Sequence, residues 1–253
     1  MFAIYKKELK NYFINMTGYI FIGFMLAVTG IFTTLINLIS TYPSFENVLS
    51  NITIVFLLII PILTMRSVAE ERHSKTDQLL YSLPVSVTQI VLAKYLAMFT
   101  VFLIPVGIIG LYPLILSIFG TVYLGTAYGA LLGFTLLGGA LIAVGMFMSS
   151  LTESQVIAAV LTFGAMLAIY LMSAISSLIP TTAEGTLVAF SVCCVLVGII
   201  VWVMTKDIWI GATAGIALEA ITLFCYFNFK ESFTGLFAKV LDKVSVFDRF
   251  YLF

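Results

Sequence analysis

The residues best equipped for chemistry stand together in one stretch, EERHSKTDQLLYSLPVS, residues 70–86. Within it Glu70, Glu71, Arg72, Lys75 and Asp77 surround the only histidine, His73. The chemistry open to them is recognition. A metal site would need a second His or Cys near His73, and none stands there. Hydrolysis of ATP would need a glycine-rich phosphate loop ending in Lys-Ser or Lys-Thr, and no G-x-x-x-x-G-K-[ST] occurs. Cys193, Cys194 and Cys225 all lie in apolar runs without ligand spacing and read as small buried hydrophobes. A catalytic carboxylate pair is missing as well, because Glu219 alone falls deep in an apolar segment, where an ionisable residue is a candidate intramembrane polar site.

The elements that carry these residues follow from composition. At 62% hydrophobic and 9% charged, the 253-residue chain is no soluble domain, in which about a quarter of residues are charged. A bilayer core about 30 Å thick takes about 20 apolar helical residues to cross, and stretches of that length recur. They are apolar all round, unlike barrel strands with their alternation. The expected fold is therefore all-α, a polytopic helical membrane protein. A formal net charge of zero gives no sign of a nucleic-acid partner.

Residues 2–13 place Phe2, Tyr5, Leu9, Tyr12 and Phe13 on one helical face and Lys6, Lys7 and Lys10 around the other, predicting an interfacial elbow helix that is no removable signal peptide. Spans are predicted at about 19–39, 52–65, 87–119, 122–148, 154–178, 187–204 and 208–227, forming one transmembrane domain over 1–227. Ser86 with Gln89, and Ser150 with Glu153, have capping-box spacing ahead of the third and fifth spans. Pro105 and Pro113 predict a kinked third span. Gly125, Gly129 and Gly133 form a G-x-x-x-G-x-x-x-G row that suits close helix packing, within the subunit or across a dimer interface. Residues 228–253 mix charge with aromatics and are expected to lie along the outer surface as an amphipathic segment.

Lysine and arginine set the orientation. With the N-terminus cytoplasmic, Lys6, Lys7, Lys10, Arg66, Arg72, Lys75, Lys94 and Lys206 collect on the inner side, leaving Lys230, Lys239, Lys243 and Arg249 of the mixed-charge tail outside. The island then faces the cytoplasm. Ser74 and Asp77 have N-cap spacing, Thr76, Leu79, Leu80 and Leu83 form an i, i+3, i+4, i+7 stripe, and Pro84 stops the helix. A helix over 75–83 is too short to be stable alone in water and needs a surface to rest on, either its own spans or a groove on another protein.

The segment RSVAEERHSKTDQLLYSLPVSVTQIVLAKY, residues 66–95, resembles the region between the second and third spans of type-2 ABC exporter permeases, in particular the gliding-motility-type branch. The matching positions are Glu70, Glu71, Arg72, Thr76, Leu79, Leu80, Pro84, Val85, Ser86 and Lys94. YKKELKNYF and SSLTESQVIAA are similar to the family's elbow helix and to the start of its fifth helix. The family often has Gly where this chain has Lys75. The resemblance implies that 75–83 is a coupling helix that docks on a separate nucleotide-binding ATPase subunit. Glu70, Glu71, Arg72, Thr76, Leu79, Leu80, Leu83 and Pro84 would form that contact. It further implies a permease without ATPase activity of its own, with ATP and Mg on the partner and no cofactor in this chain. A second copy or a homologous permease, a bacterial plasma membrane, an outer-surface accessory protein and one more C-terminal span complete the expectation. The alternative is an ATP-independent membrane scaffold or intramembrane enzyme.

Overall fold

The computed structural model describes residues 1–40, 44–75, 86–172, 182–205 and 208–228. Every regular element among them is helical. α1 (Phe2–Ile14) is followed by a sharp turn in which Met16 takes a left-handed φ of 57°, and α2 (Thr17–Thr33) then runs on into a π-helical stretch, Thr34–Ile39. α3 (Glu46–Thr53), α4 (Phe56–Thr64) and α5 (Ala69–His73) come next, then α6 (Val87–Ile109), α7 (Tyr112–Phe119), α8 (Leu124–Ser150) and α9 (Gln155–Tyr170). A second compact unit, beginning at Ile169, contains α10 (Ala183–Thr205) and α11 (Ile208–Asn228), which pack along each other.

Among the described residues, three helical stretches are long and apolar enough to cross a bilayer: Thr17–Ile39, Val87–Phe119 and Leu124–Ser150. The segment expected as a simple second span differs. It starts earlier, at Glu46, and bends by 61° between Glu46–Thr53 and Phe56–His73, so it is either a broken span or a re-entrant element. The cause is local. Across the bend Val55, Leu57 and Leu58 donate to carbonyls three residues back, at 2.8, 3.2 and 3.0 Å, tightening the turn, and Pro61 downstream lacks the N–H that would continue the regular ladder.

The third span contains Pro105 within α6, yet the helix breaks after it, at Gly110 and Leu111, and α7 restarts with Pro113 in its first turn. Ser86 caps α6 by accepting from the Gln89 N–H at 3.4 Å. The second expected box is not formed. Ser150 ends α8 and bonds back to Phe147 O, while Thr152 accepts from Ser154 N at 3.2 Å just ahead of α9.

In lipid, helices associate through packing and hydrogen bonds rather than apolar burial. Phe21, Phe56, Phe102 and Phe134, from α2, α4, α6 and α8, are all at most 1% exposed and meet in an aromatic cluster whose tightest pair, Phe56–Phe134, has centroids 4.6 Å apart. A Cβ on Gly138 would run into the Phe102 ring, and one on Gly145 would lie 2.5 Å from Thr64 Oγ1. These glycines bring α8 against α6 and α4. Gly125 and Gly129 do not, because a Cβ at either position meets nothing within 4 Å. Packing inside the subunit is therefore not their role among the described residues.

Candidate functional site

Lys94 lies in the third turn of α6 with its side chain 5% exposed. An ammonium buried to this extent costs several kcal/mol unless its protons find acceptors. It has three: the Ser67 carbonyl at 2.8 Å, Glu71 Oε1 at 2.9 Å and Glu8 Oε1 at 3.4 Å. One side chain thus joins α1, the turn after α4, α5 and α6. Burial pushes the Glu8 carboxyl above its ordinary value, and Lys94 only partly offsets that.

α1 is seated by more than this ion pair. Its buried residues are Ile4, Glu8 and Tyr12, whereas Phe2 is 76% exposed. The inward face is therefore rotated from the one the apolar spacing suggests, with a carboxylate at its centre. Tyr5 and Thr100 hydroxyls meet at 3.0 Å, and Tyr12 OH donates to Leu63 O at 3.2 Å. Burial pushes the Tyr12 phenol up, so it remains a donor.

Arg66 makes a parallel set of links. Nε approaches Glu70 at 3.6 Å and donates to Gln155 Oε1 at 3.2 Å, at the start of α9, while Nη1 donates to Thr17 Oγ1 at 3.4 Å. Ser149, fully buried near the end of α8, ties down the turn between α4 and α5. Its Oγ accepts from Val68 N at 3.3 Å and Ala69 N at 3.2 Å and donates to Met65 O at 3.3 Å. Those amides are the unpaired donors of the α5 N-terminus, satisfied here by a different helix.

Of the residues singled out by sequence, Glu70 and Glu71 lie in α5 and face Arg66 and Lys94, and Arg72 is exposed beside them. Thr76, Leu79, Leu80, Leu83 and Pro84 lie outside the described residues. At the edge of that segment Ser74 Oγ donates back to Glu70 O at 2.8 Å, and Lys75 takes a left-handed φ of 57°, which turns the chain out of α5. In the second unit Glu219 Oε1 accepts from Ser191 Oγ at 2.7 Å, joining α11 to α10, and Oε2 is buried without a partner among the described residues. Sequence reasoning missed Glu8, Ser149 and Gln155. Lys94 gave the one usable signal, a charge eight residues into an apolar helix.

A polytopic helical chain with an ion-paired elbow helix, and with its charged segment rooted by buried contacts between two spans, is the setting for the family comparison. The model of the family described as ABC-2 family transporter protein matches residues 5–229. The chain belongs to that family. It is a multi-pass membrane protein and the permease subunit of an ABC transporter, without an ATPase motif of its own. ABC-2 membrane subunits typically work with an ATPase subunit. No curated protein and no solved structure gives a significant match. For an ABC-2 permease the Lys94 cluster is notable for its position, since it joins Glu71 of α5, just before residues 76–85, to α6, just after them.

Proposed function

We propose that this ABC-2 permease is of the gliding-motility type and couples ATP hydrolysis by a separate nucleotide-binding subunit to export across a bacterial plasma membrane, with its N-terminus cytoplasmic. In this reading residues 75–83 are the coupling helix. Leu79, Leu80 and Leu83, with Thr76, fill a groove on the ATPase, Glu70, Glu71 and Arg72 set register at its rim, and Pro84 ends the helix. ATP and Mg belong to the partner. A second copy of the chain, or a homologous permease, packs on the open Gly125 and Gly129 face with Gly133. An outer-surface accessory protein meets the tail after residue 228, and Glu219 is a polar site along the transport path.

The observation that carries this reading is the rooting of α5. Lys94 joins Glu71 to Glu8, and Ser149 holds the Val68 and Ala69 amides, so α5, which precedes residues 76–85, is tied to α1, α6 and α8, as a coupling role would require. Its test is co-purification with the cognate ATPase. Leu79→Asp and Leu80→Asp should each abolish complex formation while the permease still unfolds at the wild-type temperature. An intact complex with unaltered transport in both variants would overturn the reading.

A further inference from the structure

A cleft of about 250 Å³ opens at the Lys94 cluster, walled by α1, the first residue of α2, the turn from α4 to α5, α5 itself and Lys94 of α6. It lies at the polar end of the bundle, since Thr17 in its wall begins the 23-residue apolar stretch Thr17–Ile39. That is headgroup depth for a membrane lipid. The volume is below the roughly 300 Å³ at which pockets for whole drug-sized ligands begin, and it suits a group of a few polar atoms.

The wall contains unused hydrogen-bonding capacity of both signs. Ser67 is 5% exposed and its Oγ is buried with no partner among the described residues, an arrangement that native interiors rarely leave unfilled. Lys7 stands exposed at the rim without an ion pair among the described residues, and Arg66 uses Nε and Nη1 within the protein but not Nη2. Glu70 has only Oε2 against Arg66. Lys94 is saturated by its three acceptors and offers nothing further. The Lys7 ammonium and the remaining Nη2 of Arg66, set beside the Glu70 carboxylate that Arg66 only partly engages and the buried Ser67 hydroxyl, make a poor site for a simple anion. They match a zwitterion, with phosphate on Lys7 and Arg66 and a primary ammonium on Glu70 and Ser67.

We propose that this cleft binds the phosphoethanolamine headgroup of a membrane lipid and that the elbow helix is seated around it. This proposal extends beyond coupling to an ATPase, and its test uses the permease alone, so the two fail separately. The purified full-length chain in detergent is titrated with dihexanoyl phosphatidylethanolamine, dihexanoyl phosphatidylcholine, dihexanoyl phosphatidylglycerol and chain-free phosphoethanolamine. The ethanolamine lipid should bind about tenfold tighter than the choline lipid, whose methylated nitrogen cannot donate, and tighter than the anionic glycerol lipid. Lys7→Ala, Glu70→Gln and Ser67→Ala should each weaken it by about tenfold and erase the preference. Lys7→Ala alters an exposed, unpaired side chain, so loss of binding there is not loss of fold. Equal binding of the ethanolamine and choline lipids, tighter binding of the glycerol lipid, or unchanged binding in all three variants would overturn the proposal. Equally tight binding of chain-free phosphoethanolamine would keep the chemistry and overturn the lipid source.

Discussion

Lys94 and Glu8 show how a charge is kept inside an apolar bundle, and the cost of removing its partner can be measured. Lys94→Met leaves the Glu71 and Glu8 carboxylates without the cation they share and should cost about 3–5 kcal/mol in thermal unfolding in detergent, while Lys94→Met combined with Glu8→Gln recovers part of that loss. The pH dependence has a definite sign. Burial raises the Glu8 carboxyl above its ordinary 4.5, so the folded chain holds this proton more tightly than the unfolded one. Stability then falls as pH rises from about 4.5 through the raised value, at no more than about 1.4 kcal/mol per pH unit. Glu8→Gln should flatten that slope in unfolding temperatures measured across pH. Lys75 offers a simpler check. Its φ of 57° lies where a Cβ is disfavoured by about 1–2 kcal/mol, more than the roughly 0.5–1 kcal/mol by which the freedom of Gly favours the unfolded chain, so Lys75→Gly should raise the unfolding temperature slightly. None of these pairings is legible in one sequence. Glu8 sits among Lys6, Lys7 and Lys10 and has the pattern of a solvated face, and only α6, distant in sequence, makes it an inward one.

At the scale of elements, two glycine sets on α8 have opposite expectations. Gly145→Ala must displace the buried Thr64 side chain and should cost about 1–3 kcal/mol, while Gly129→Ala meets open space in the protomer and should gain up to about 1 kcal/mol from helix propensity. Size-exclusion with light scattering adds the reading across copies. If the Gly129 face is where two permeases meet, the same alanine that steadies the protomer should lower the dimer fraction. The helical class, the Ser86 cap and the apolar stretches over α2, α6 and α8 were legible, because hydropathy and cap chemistry are local. The 61° break at Ile54 and Val55 was not, since it arises from hydrogen-bond slippage at a junction, ITIVFL, that contains neither Gly nor Pro to mark it. Ser150 misled because the S-x-x-E spacing occurs at the end of α8, where the preceding helix has already claimed the serine.

For the whole molecule, the question is how movement at one end is shared among helices. Ser149→Ala removes the one hydroxyl that satisfies two amides and a carbonyl of the α4–α5 turn, a loss of about 1–3 kcal/mol. On the proposed coupling role of residues 75–83, it should leave ATPase binding intact yet lower substrate-stimulated ATP turnover, measured in proteoliposomes, because the α4–α5 turn is no longer fixed to α8. Family membership and the permease role were legible only through the resemblance of residues 66–95 to type-2 ABC exporter permeases, since the concentration of polar residues there marks a segment apart without saying what it does. Substrate could not, because a lining of Leu, Phe, Ile and Gly binds many cargoes alike.

The contact between Tyr5 and Thr100 closes a loop of 95 residues, and it has a consequence in time. At a synthesis rate of about 5–20 residues per second, α1 is complete about 4–17 s before the part of α6 that receives it. Through that interval Ile4 and Glu8 lack Ile90, Ala93 and Lys94, whereas Tyr12 can already reach Leu63 O of α4, so the elbow is seated in two stages, its C-terminal end before its N-terminal one.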